Sequence, residues 1–542
     1  MATIESVASD VLLDQILPLL ENADIASLSQ TSRAFHTLTD EEILWRRKVQ
    51  ADFNLPPQPA RQSGWKELYR GLATARTFTW GSTGNGRLGH SWPGRVGAVS
   101  RPKEVREVRG ECIVDIVAGG FGFHALTSKG KVYGWGTVGP FGVHERPEAR
   151  PKRVNFPGYV KTRAISAGRS HMIALDDAGK LWEWHSFKDI DLGTIGFPGL
   201  EEKEFVSISA GWGFSAALVR KHGIVVWWED DTMYDLRADY VTVPGTEDVV
   251  AMSAGAGFLV YLTASGDVYR VTTHSESDLL STPPVHLERF SQPQAAGSAH
   301  LSGNFNSFAV FNTATGAVLL GSKDTSTTPD SEPLTPPELQ SRGVISVAWG
   351  DYHALACCED GTLLSWGKES QSCGCLGLGP HLEVREKNLE GYQQDADGIK
   401  MTKATTVDMP GKVFAVAAGG WHSGALCVMD DEYESENEDH SKILGGTVHV
   451  GVRGGIMRPP PVWNPGPVMM PGPVITQLGE GGEMQPVTGE QAPEGHPSHH
   501  NLGPLFLRRP RVSGEGFAQD GQGGSEGGEG SSGGLAAEPD NT

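Results

Sequence analysis

A sequence pattern returns roughly every 45 residues in this chain of 542 residues, and such a repeat limits the possible folds more than any local motif does. Between residues 77 and 429, an apolar-x-x-Ala/Ser-Gly motif is followed by an apolar strand, a second glycine and, in several copies, a tryptophan. The first glycines of the seven copies are Gly119, Gly168, Gly211, Gly255, Gly303, Gly350 and Gly419. A β-rich repeat of this length is typical of one four-stranded propeller blade, which only its neighbours stabilise. We therefore predict a mainly β protein built on a seven-bladed β-propeller.

The two ends of the repeat region complement each other. The seventh copy stops near residue 430, where the chain becomes acidic, and it lacks its later strands. A matching strand occurs at the other end, in residues 77–81, and its turn at 84–89 resembles the turn that follows Trp366. We predict that this N-terminal strand completes the last blade, because a ring closed in this way leaves no open sheet edge.

Two other repeat positions carry a prediction. The tryptophans are expected to fill the space between blades, and the histidines three residues after the first glycine are expected to hydrogen-bond backbone within their blades. Copies two, six and seven contain this histidine, as His171, His353 and His422. Phe214, Phe258 and Asn306 replace it in copies three to five, so we expect blades three to five to be distorted.

The segment before the propeller reads as a small all-α domain at 1–52. Apolar residues recur there at helical spacing, Pro18 is expected to end the first helix, and residues 39–42 have the spacing of a capping box that opens a third helix. Three helices in about 40 residues bury too little surface to be stable alone. The next segment, 53–76, holds Pro56, Pro57 and Pro59 and is predicted to be a stiff linker.

The region after the propeller, 430–542, is predicted to be a disordered tail. Residues 430–439 contain seven acidic side chains, and residues 443–542 contain 23 Gly and 13 Pro. This Gly and Pro content exceeds the ~25–30% that marks disorder. A polar insertion at roughly 368–412 stretches the sixth repeat and is expected to be a variable surface loop.

Charge and motif content exclude several functions. The net charge of −21 disfavours partners with phosphate backbones or anionic lipid, so we expect no nucleic acid and no membrane partner. No apolar stretch is long enough to span a bilayer, and none of the six cysteines forms a C-x-x-C pair. Adjacent Cys357 and Cys358 are predicted to be buried thiols. We find no catalytic constellation, metal site or cofactor motif, and we expect a non-enzyme in the cytoplasm and/or nucleus.

Two parts of the chain resemble known families. The segments 10–20, 24–28, 32–35 and 44–46 resemble an F-box. The motifs at 80–89 and 167–171 are similar to those of the regulator-of-chromosome-condensation family, which is a seven-bladed propeller. The order of the two parts resembles fungal F-box proteins of the SCF-associated factor type.

This resemblance implies a non-catalytic substrate-recognition subunit of an SCF-type ubiquitin ligase. In that role the F-box binds a Skp-type adaptor and through it a cullin, and the propeller binds a protein that is ubiquitinated and degraded by the proteasome. The side chains expected to contact the adaptor are Val11, Leu12, Ile16, Leu20, Ile25, Leu28 and Phe35. The propeller resemblance alone allows a second function, guanine-nucleotide exchange on a small GTPase. Chromatin binding suits the charge poorly.

Three tryptophans next to the first glycines are candidates for binding the target protein. They are Trp212, Trp349 and Trp421, and aromatic side chains at a propeller face make good anchors for a protein ligand. The alternative, that these side chains fill space between blades, stays open at this point.

Overall fold

The computed structural model describes residues 7–90, 97–139, 147–187, 192–228, 238–396 and 398–429. Within these ranges, none of the helices combines the length and apolar character that crossing a bilayer requires. The predicted tail, 430–542, lies outside the described residues.

Seven sheets form the blades of the predicted propeller. Blade 1 contains β3 (Ile113–Ala118), β4 (Phe121–Thr127), β5 (Val132–Thr137) and β6 (Glu148–Arg153). Blade 2 contains β7 (Thr162–Ala167), β8 (Met172–Asp176), β9 (Leu181–Trp184) and β10 (Leu192–Thr194). Blade 3 contains β11 (Phe205–Ala210), β12 (Phe214–Val219), β13 (Gly223–Trp228) and β14 (Val241–Thr242). Blade 4 contains β15 (Val249–Ala254), β16 (Phe258–Thr263), β17 (Val268–Thr272) and β18 (Val285–His286). Blade 5 contains β19 (Ala299–Asn304), β20 (Ser307–Asn312) and β21 (Val318–Ser322). Blade 6 contains β22 (Val344–Trp349), β23 (His353–Cys358), β24 (Leu363–Ser370), β25 (Tyr392–Gln394) and β26 (Gly398–Thr406). Blade 7 contains β27 (Gly411–Ala418), β28 (His422–Met429), β1 (Arg76–Ser82) and β2 (Ala98–Glu104).

The prediction of ring closure is confirmed. Blade 7 has the strand order β2-β1-β28-β27, so both ends of the propeller region contribute two strands to one sheet. Strand β1 pairs antiparallel with β28 in continuous register from Arg76 opposite Cys427 to Gly81 opposite His422. Trp80 in β1 is completely buried, and its indole N–H donates to the Cys375 carbonyl of blade 6 at 2.9 Å.

In every blade except blade 5, the first glycine of the repeat lies where neighbouring blades approach most closely. It follows the innermost strand, and the turns around it hydrogen-bond from one blade to the next, for example Arg169 N–H to Gly211 O at 3.2 Å. A Cβ atom on Gly168 would lie 2.5 Å from that same Gly211 oxygen. Any side chain would therefore push the blades apart, which explains the Ala/Ser-Gly pair.

The middle blades depart from the sequence-based assignments in register. The repeat tryptophan of blade 3 is the completely buried Trp227, because Trp227 and not Trp228 pairs opposite the residue after Phe214. In blade 5 the counterpart of the histidine is Phe308 rather than Asn306, since two extra residues lengthen the preceding turn. Phe305, not Gly303, accepts the blade-to-blade hydrogen bond there, from Ala256 N–H.

The expected distortion is confined mainly to the outer strands. Blades 3 and 4 keep four strands, although β14 and β18 have two residues each, and blade 5 has three strands. The insertion in the sixth repeat forms structure instead of a plain loop: a helix, α7 (His381–Lys387), and the strand β25, which makes blade 6 five-stranded. A second short helix, α6 (Glu276–Ser281), follows β17 in blade 4.

The N-terminal residues form a helical head. A first helical segment runs through α1 (Ser9–Val11), a π-helical stretch (Leu12–Ile16) and a 3₁₀ turn (Leu17–Leu19). It ends at Leu20, as Pro18 predicts. The later helices are α2 (Asn22–Ser29), α3 (Arg33–Asp40), α4 (Glu42–Phe53) and α5 (Trp65–Leu72).

The predicted capping box at 39–42 is wrong. Thr39 donates its hydroxyl to the Phe35 carbonyl at 2.8 Å, inside α3. Glu42 instead accepts hydrogen bonds from the amides of Gly64 and Trp65 at 3.1 and 2.9 Å. The carboxylate therefore joins the start of α5 to the head, a contact across 22 residues that local spacing cannot reveal.

The prediction of a linker at 53–76 is also wrong. Leu55, Ala60 and Arg61 are buried, and α5 buries Trp65, Leu68 and Leu72. One hydrophobic cluster runs from the head helices into blades 1 and 2. The prolines restrict the local backbone, but contacts with the propeller hold the segment around them in place.

Candidate functional site

The head lies on the propeller face opposite the glycine turns. Asn54 Nδ2 donates to the carbonyl of Thr162, the first residue of β7, at 3.0 Å. The Glu359 carboxylate, just after the end of β23, accepts from the amides of Gln62 and Ser63 at 2.5 and 2.7 Å. Inner strands begin, and second strands end, on the side away from the glycine turns. These contacts therefore leave the face with the glycine turns uncovered by the head.

Helix α5 locks the head onto this face. Gly71 is in contact with Val428 near the end of β28, where a Cβ atom on the glycine would collide with that side chain. On its other side, the Tyr69 hydroxyl donates to Asp52 Oδ2 at 2.6 Å and accepts from Asn22 Nδ2 at 2.9 Å. Burial, together with the Asp52 carboxylate, raises the pKa of Tyr69 to about 12, so the hydroxyl keeps its proton as a donor. Helix α5 therefore contacts the propeller on one side and the other head helices on the other.

The residues predicted to contact the adaptor divide into two groups. Leu12, Ile25 and Phe35 lie in the head core, so their side chains are not available at the surface. Their assignment as contact residues is corrected, because their apolar spacing reflects core packing. Val11, Ile16, Leu20 and Leu28 are half-buried.

Two exposed apolar side chains of the head were not predicted as contacts. Leu19 is 84% exposed and Ile43 is 43% exposed. A large apolar side chain that stays in water at this level is a candidate for contact with another protein. The only sequence signal for Leu19 is its position next to Pro18, where the first helical segment ends.

On the uncovered face, aromatic and charged side chains close the central channel. We call Arg87, Phe121, Arg169, Trp212, Phe305 and Asp351 the channel mouth. The Arg169 guanidinium carbon lies 4.8 Å from the ring centre of Phe121, 4.5 Å from that of Trp212 and 5.2 Å from that of Phe305. The Trp212 and Phe305 rings are 4.7 Å apart. Arg169 is therefore held by three aromatic rings contributed by three blades.

The charges of the channel mouth are incompletely balanced. Arg169 Nη1 is 3.3 Å from Asp351 Oδ1, longer than the ~2.7–2.9 Å of a close charge-assisted hydrogen bond. Arg87 is buried beside them, with its guanidinium 5.4 Å from the ring centre of Phe121. Burial lowers the pKa of Arg87 to about 10; Asp351 opposes this effect, and the like charge of Arg169 adds to it. Burial raises the pKa of Asp351 although both arginines lower it.

The three candidate tryptophans have different environments. Trp212 is 44% exposed at the channel mouth. Trp349 is nearly buried at the same end of the channel, and its indole N–H has no acceptor among the described residues. Trp421 is half-buried, and its carbonyl accepts the amide of Ser82 at 2.8 Å. The structure therefore presents Trp212 outward and the other two mainly inward.

Of the channel-mouth residues, only Trp212 was among the candidates from the sequence; Arg169 and Phe305 illustrate why the others were missed. Arg169 lies in the Ala-Gly-Arg-Ser-His motif but resembled an ordinary turn residue. Phe305 occupies a left-handed backbone conformation with φ of 60°, which costs a non-glycine residue of this size roughly 1–3 kcal/mol. Its place in the turn became visible only when the true register of blade 5 was known.

The repeat histidines are structural but join neighbouring blades, not groups within one blade. His171 Nε2 is 2.6 Å from Ser215 Oγ, and His353 Nε2 is 2.7 Å from Ser423 Oγ. Burial lowers the pKa of His353 to about 4, so its ring is neutral at physiological pH. Among the residues that the structure describes, no three His, Cys, Asp or Glu side chains converge as metal ligands would. Cys357 and Cys358 are buried as predicted, and burial raises their pKa values to about 12 and about 11.

Comparison with known proteins places two family descriptions on this chain. An F-box-like family model matches residues 10–51, and the Regulator of chromosome condensation (RCC1) repeat model matches residues 344–375. The first match coincides with the helical head, and the second begins at β22 and ends in the turn after β24. The resemblance to F-box proteins with RCC1 repeats is thereby confirmed.

Relatives with curated descriptions show the same combination. SCF-associated factor 1 of Saccharomyces cerevisiae is 31% identical over 275 residues, which cover 49% of this chain and 42% of that protein. F-box protein pof9 of Schizosaccharomyces pombe is 28% identical over 447 residues, which cover 78% of this chain and 89% of that protein. The match therefore spans less than half of the first relative and most of the second.

Among solved structures, Prp20p from Saccharomyces cerevisiae is similar with a TM-score of 0.51 and 16% identity. The similarity covers 71% of this chain and 99% of that one. At this identity it establishes the propeller fold alone.

Proposed function

From its similarity to fungal F-box proteins with RCC1 repeats, we propose that this chain is the substrate-recognition subunit of an SCF-type ubiquitin ligase. The head binds a Skp-type adaptor and through it a cullin. The propeller binds the protein that is to be ubiquitinated and degraded. The observation that carries the proposal is the placement of an F-box-like head on one propeller face, where its described residues leave the other face free of the head.

The fixed geometry of the two parts supports this role. A substrate receptor has to hold a target at a constant position relative to the adaptor, and here the head and propeller share one hydrophobic cluster. Buried Arg61 extends the contact, since its Nη1 donates to the carbonyl of Glu359 at 3.3 Å. Such a chain contributes positioning, while the transfer chemistry belongs to other subunits.

Exposed apolar side chains on the head support the adaptor contact. Leu19 is left exposed by the residues that the structure describes, and its burial in an interface would stabilise a complex by about 2 kcal/mol for a fully covered leucine side chain. Val11 and Ile16, half-buried on the same helical segment, lie near it in sequence.

Binding of a purified Skp-type adaptor to the full chain tests the proposal. We expect the intact protein to capture the adaptor, and both Leu19→Asp and the double variant Val11→Asp with Ile16→Asp to lose it. Leu382→Asp is the matched control, because Leu382 is also strongly exposed but lies in α7 on the propeller. Failure of the intact, folded protein to bind the adaptor would refute the proposal.

The RCC1 repeat match gives some support to a second function, guanine-nucleotide exchange on a small GTPase. Release of a labelled guanine nucleotide from purified small GTPases in the presence of this chain distinguishes the two functions. Exchange activity that persists in Leu19→Asp, together with no adaptor binding by the intact protein, would favour this alternative.

A further inference from the structure

The channel mouth has the opposite charge sign to the rest of the protein. Among the turns that follow the seven inner strands, the charged side chains are Arg169 and Asp351, and Arg87 joins them from the turn after β1. Two guanidinium groups therefore face one carboxylate, in a chain whose net charge is −21. Among the described residues, this local excess of positive charge lies at the centre of the face opposite the head.

A cation already contacts the aromatic rings at this site. Trp212 contacts the Arg169 guanidinium at 4.5 Å and the Phe305 ring at 4.7 Å. An incoming lysine or arginine would thus meet two arginines of like charge. An anionic group would instead be attracted by both arginines, and the 3.3 Å distance between Arg169 and Asp351 leaves Arg169 able to exchange partners.

Exposed aromatic surface adjoins the charges. Trp212 is 44% exposed and Tyr352, next to Asp351, is 58% exposed. Glycines at 120 and 420 bring the backbone of these turns close to the charged side chains, since a Cβ atom on Gly120 would lie 2.8 Å from Arg169 Cδ. The surface can therefore hold a carboxylate at its centre and an apolar side chain beside it.

We propose that the channel mouth binds an extended segment of the target protein that carries a Glu or Asp side chain beside an aromatic or large aliphatic one. This inference rests on the proposed function, because it names the chemistry by which the receptor recognises its target. The carboxylate pairs with Arg169, displacing Asp351, and Arg87 stabilises the bound charge from beneath. The neighbouring apolar side chain packs on Trp212 and Tyr352.

Fluorescence anisotropy of the full chain with labelled peptides tests the proposal. The probe is a short peptide centred on Glu-Leu-Glu-Phe-Glu, compared with the same peptide carrying Gln or Lys in place of Glu. We expect the Glu peptide to bind most tightly, and its affinity to fall as salt is raised because charges at a surface are screened. Loss of a charge-assisted contact in Arg169→Gln should weaken binding roughly tenfold or more.

Asp351→Asn should change the affinity for the peptide in the opposite direction, which partial unfolding of the variant could not do. Removing the internal competitor should tighten binding of the Glu peptide several-fold. Arg220→Gln is the control for general electrostatics, since Arg220 lies at the end of β12, on the face that carries the head, in a pair with Glu204. It should leave the affinity unchanged.

Equal binding of the three peptides, a preference for the Lys peptide, or no binding at all would overturn the inference. So would an Arg169→Gln variant that binds as well as the intact protein, or a requirement for phosphothreonine in place of glutamate. Adaptor capture by the same variants separates the two proposals. If Arg169→Gln still captures the adaptor but no peptide binds, the recognition chemistry is wrong while the ligase role stands. If peptides bind but the adaptor does not, the ligase role fails.

Discussion

Truncation of Trp80 probes the closure of the ring at its single most informative position. Trp80 lies in β1, the N-terminal strand that completes blade 7, and it is completely buried against blade 6. Its neighbours include Gly377, on which a Cβ atom would lie 2.7 Å from the indole nitrogen. Trp80→Ala therefore removes the side chain that fills the junction between the first and last parts of the propeller.

The expected loss follows from the cavity. Replacing a buried tryptophan with alanine costs about 3–5 kcal/mol. The lost hydrogen bond adds little, because the Cys375 carbonyl keeps a second donor, Ser423 Oγ, at 2.8 Å. For a cooperative unit of about 350 residues, with an unfolding entropy of about 2.1 cal/mol/K per residue, this corresponds to a fall in melting temperature of about 4–7 °C.

Thermal unfolding of the full chain, followed by circular dichroism, measures this change. Trp212→Ala is the matched control, since it is the same substitution at a half-exposed position and should lower the melting temperature much less. A Trp80→Ala protein that melts within about 1 °C of the intact protein would refute the reasoning. Deletion of residues 77–89 is the stronger test and should unfold the whole ring; a cooperative melt unaffected by it would exclude closure by this strand.

The remaining predictions concern the blade junctions, the head and pH. Gly168→Ala should destabilise the protein by at least about 2 kcal/mol in urea titrations, because its Cβ would lie 2.5 Å from a carbonyl oxygen, whereas Gly97→Ala, with nothing within 4 Å, should be nearly neutral. Glu359→Ala removes the acceptor of two amides and should increase hydrogen exchange across 53–72; unchanged exchange there would contradict a docked segment. Burial lowers the pKa of His124 to about 3, so below pH ~6.5 the unfolded chain binds a proton that the folded chain does not. The free energy of unfolding therefore decreases as the pH is lowered from 6.5 to 3, by up to about 1.4 kcal/mol per pH unit. His124→Gln should make this fall shallower between pH 6.5 and 5, and an identical pH profile would disprove the assignment.

Local patterns predicted the repeated part of the fold well, because each blade repeats the same short-range requirements. The glycine after each inner strand and the buried tryptophan follow from close packing that recurs along the chain, as at Gly168 and Trp80. The same patterns gave wrong predictions where a residue contacts a distant part of the chain. Glu42 matched a capping box by spacing but binds amides 22 and 23 residues away.

The candidate site was predictable only in part. Trp212 was recognised from its place beside a repeat glycine, yet its partners Arg169 and Phe305 were not, because they belong to other blades. Phe305 was hidden by two extra residues in its turn, which shift the register of blade 5. In the head, apolar spacing could not distinguish Leu12, a core residue, from Leu19, an exposed one.

Periodic and local features of the chain were enough to predict the blade number, the strand that closes the ring and the presence of an F-box-like head. The folded structure was needed to show that the segment after α4 is buried rather than extended, that the head covers one face, and that Arg169, Trp212 and Asp351 meet on the other. Each of these facts depends on residues far apart in the chain coming into contact. The spacing of residues along a strand does not specify such contacts; the packing of the blades into a closed ring does.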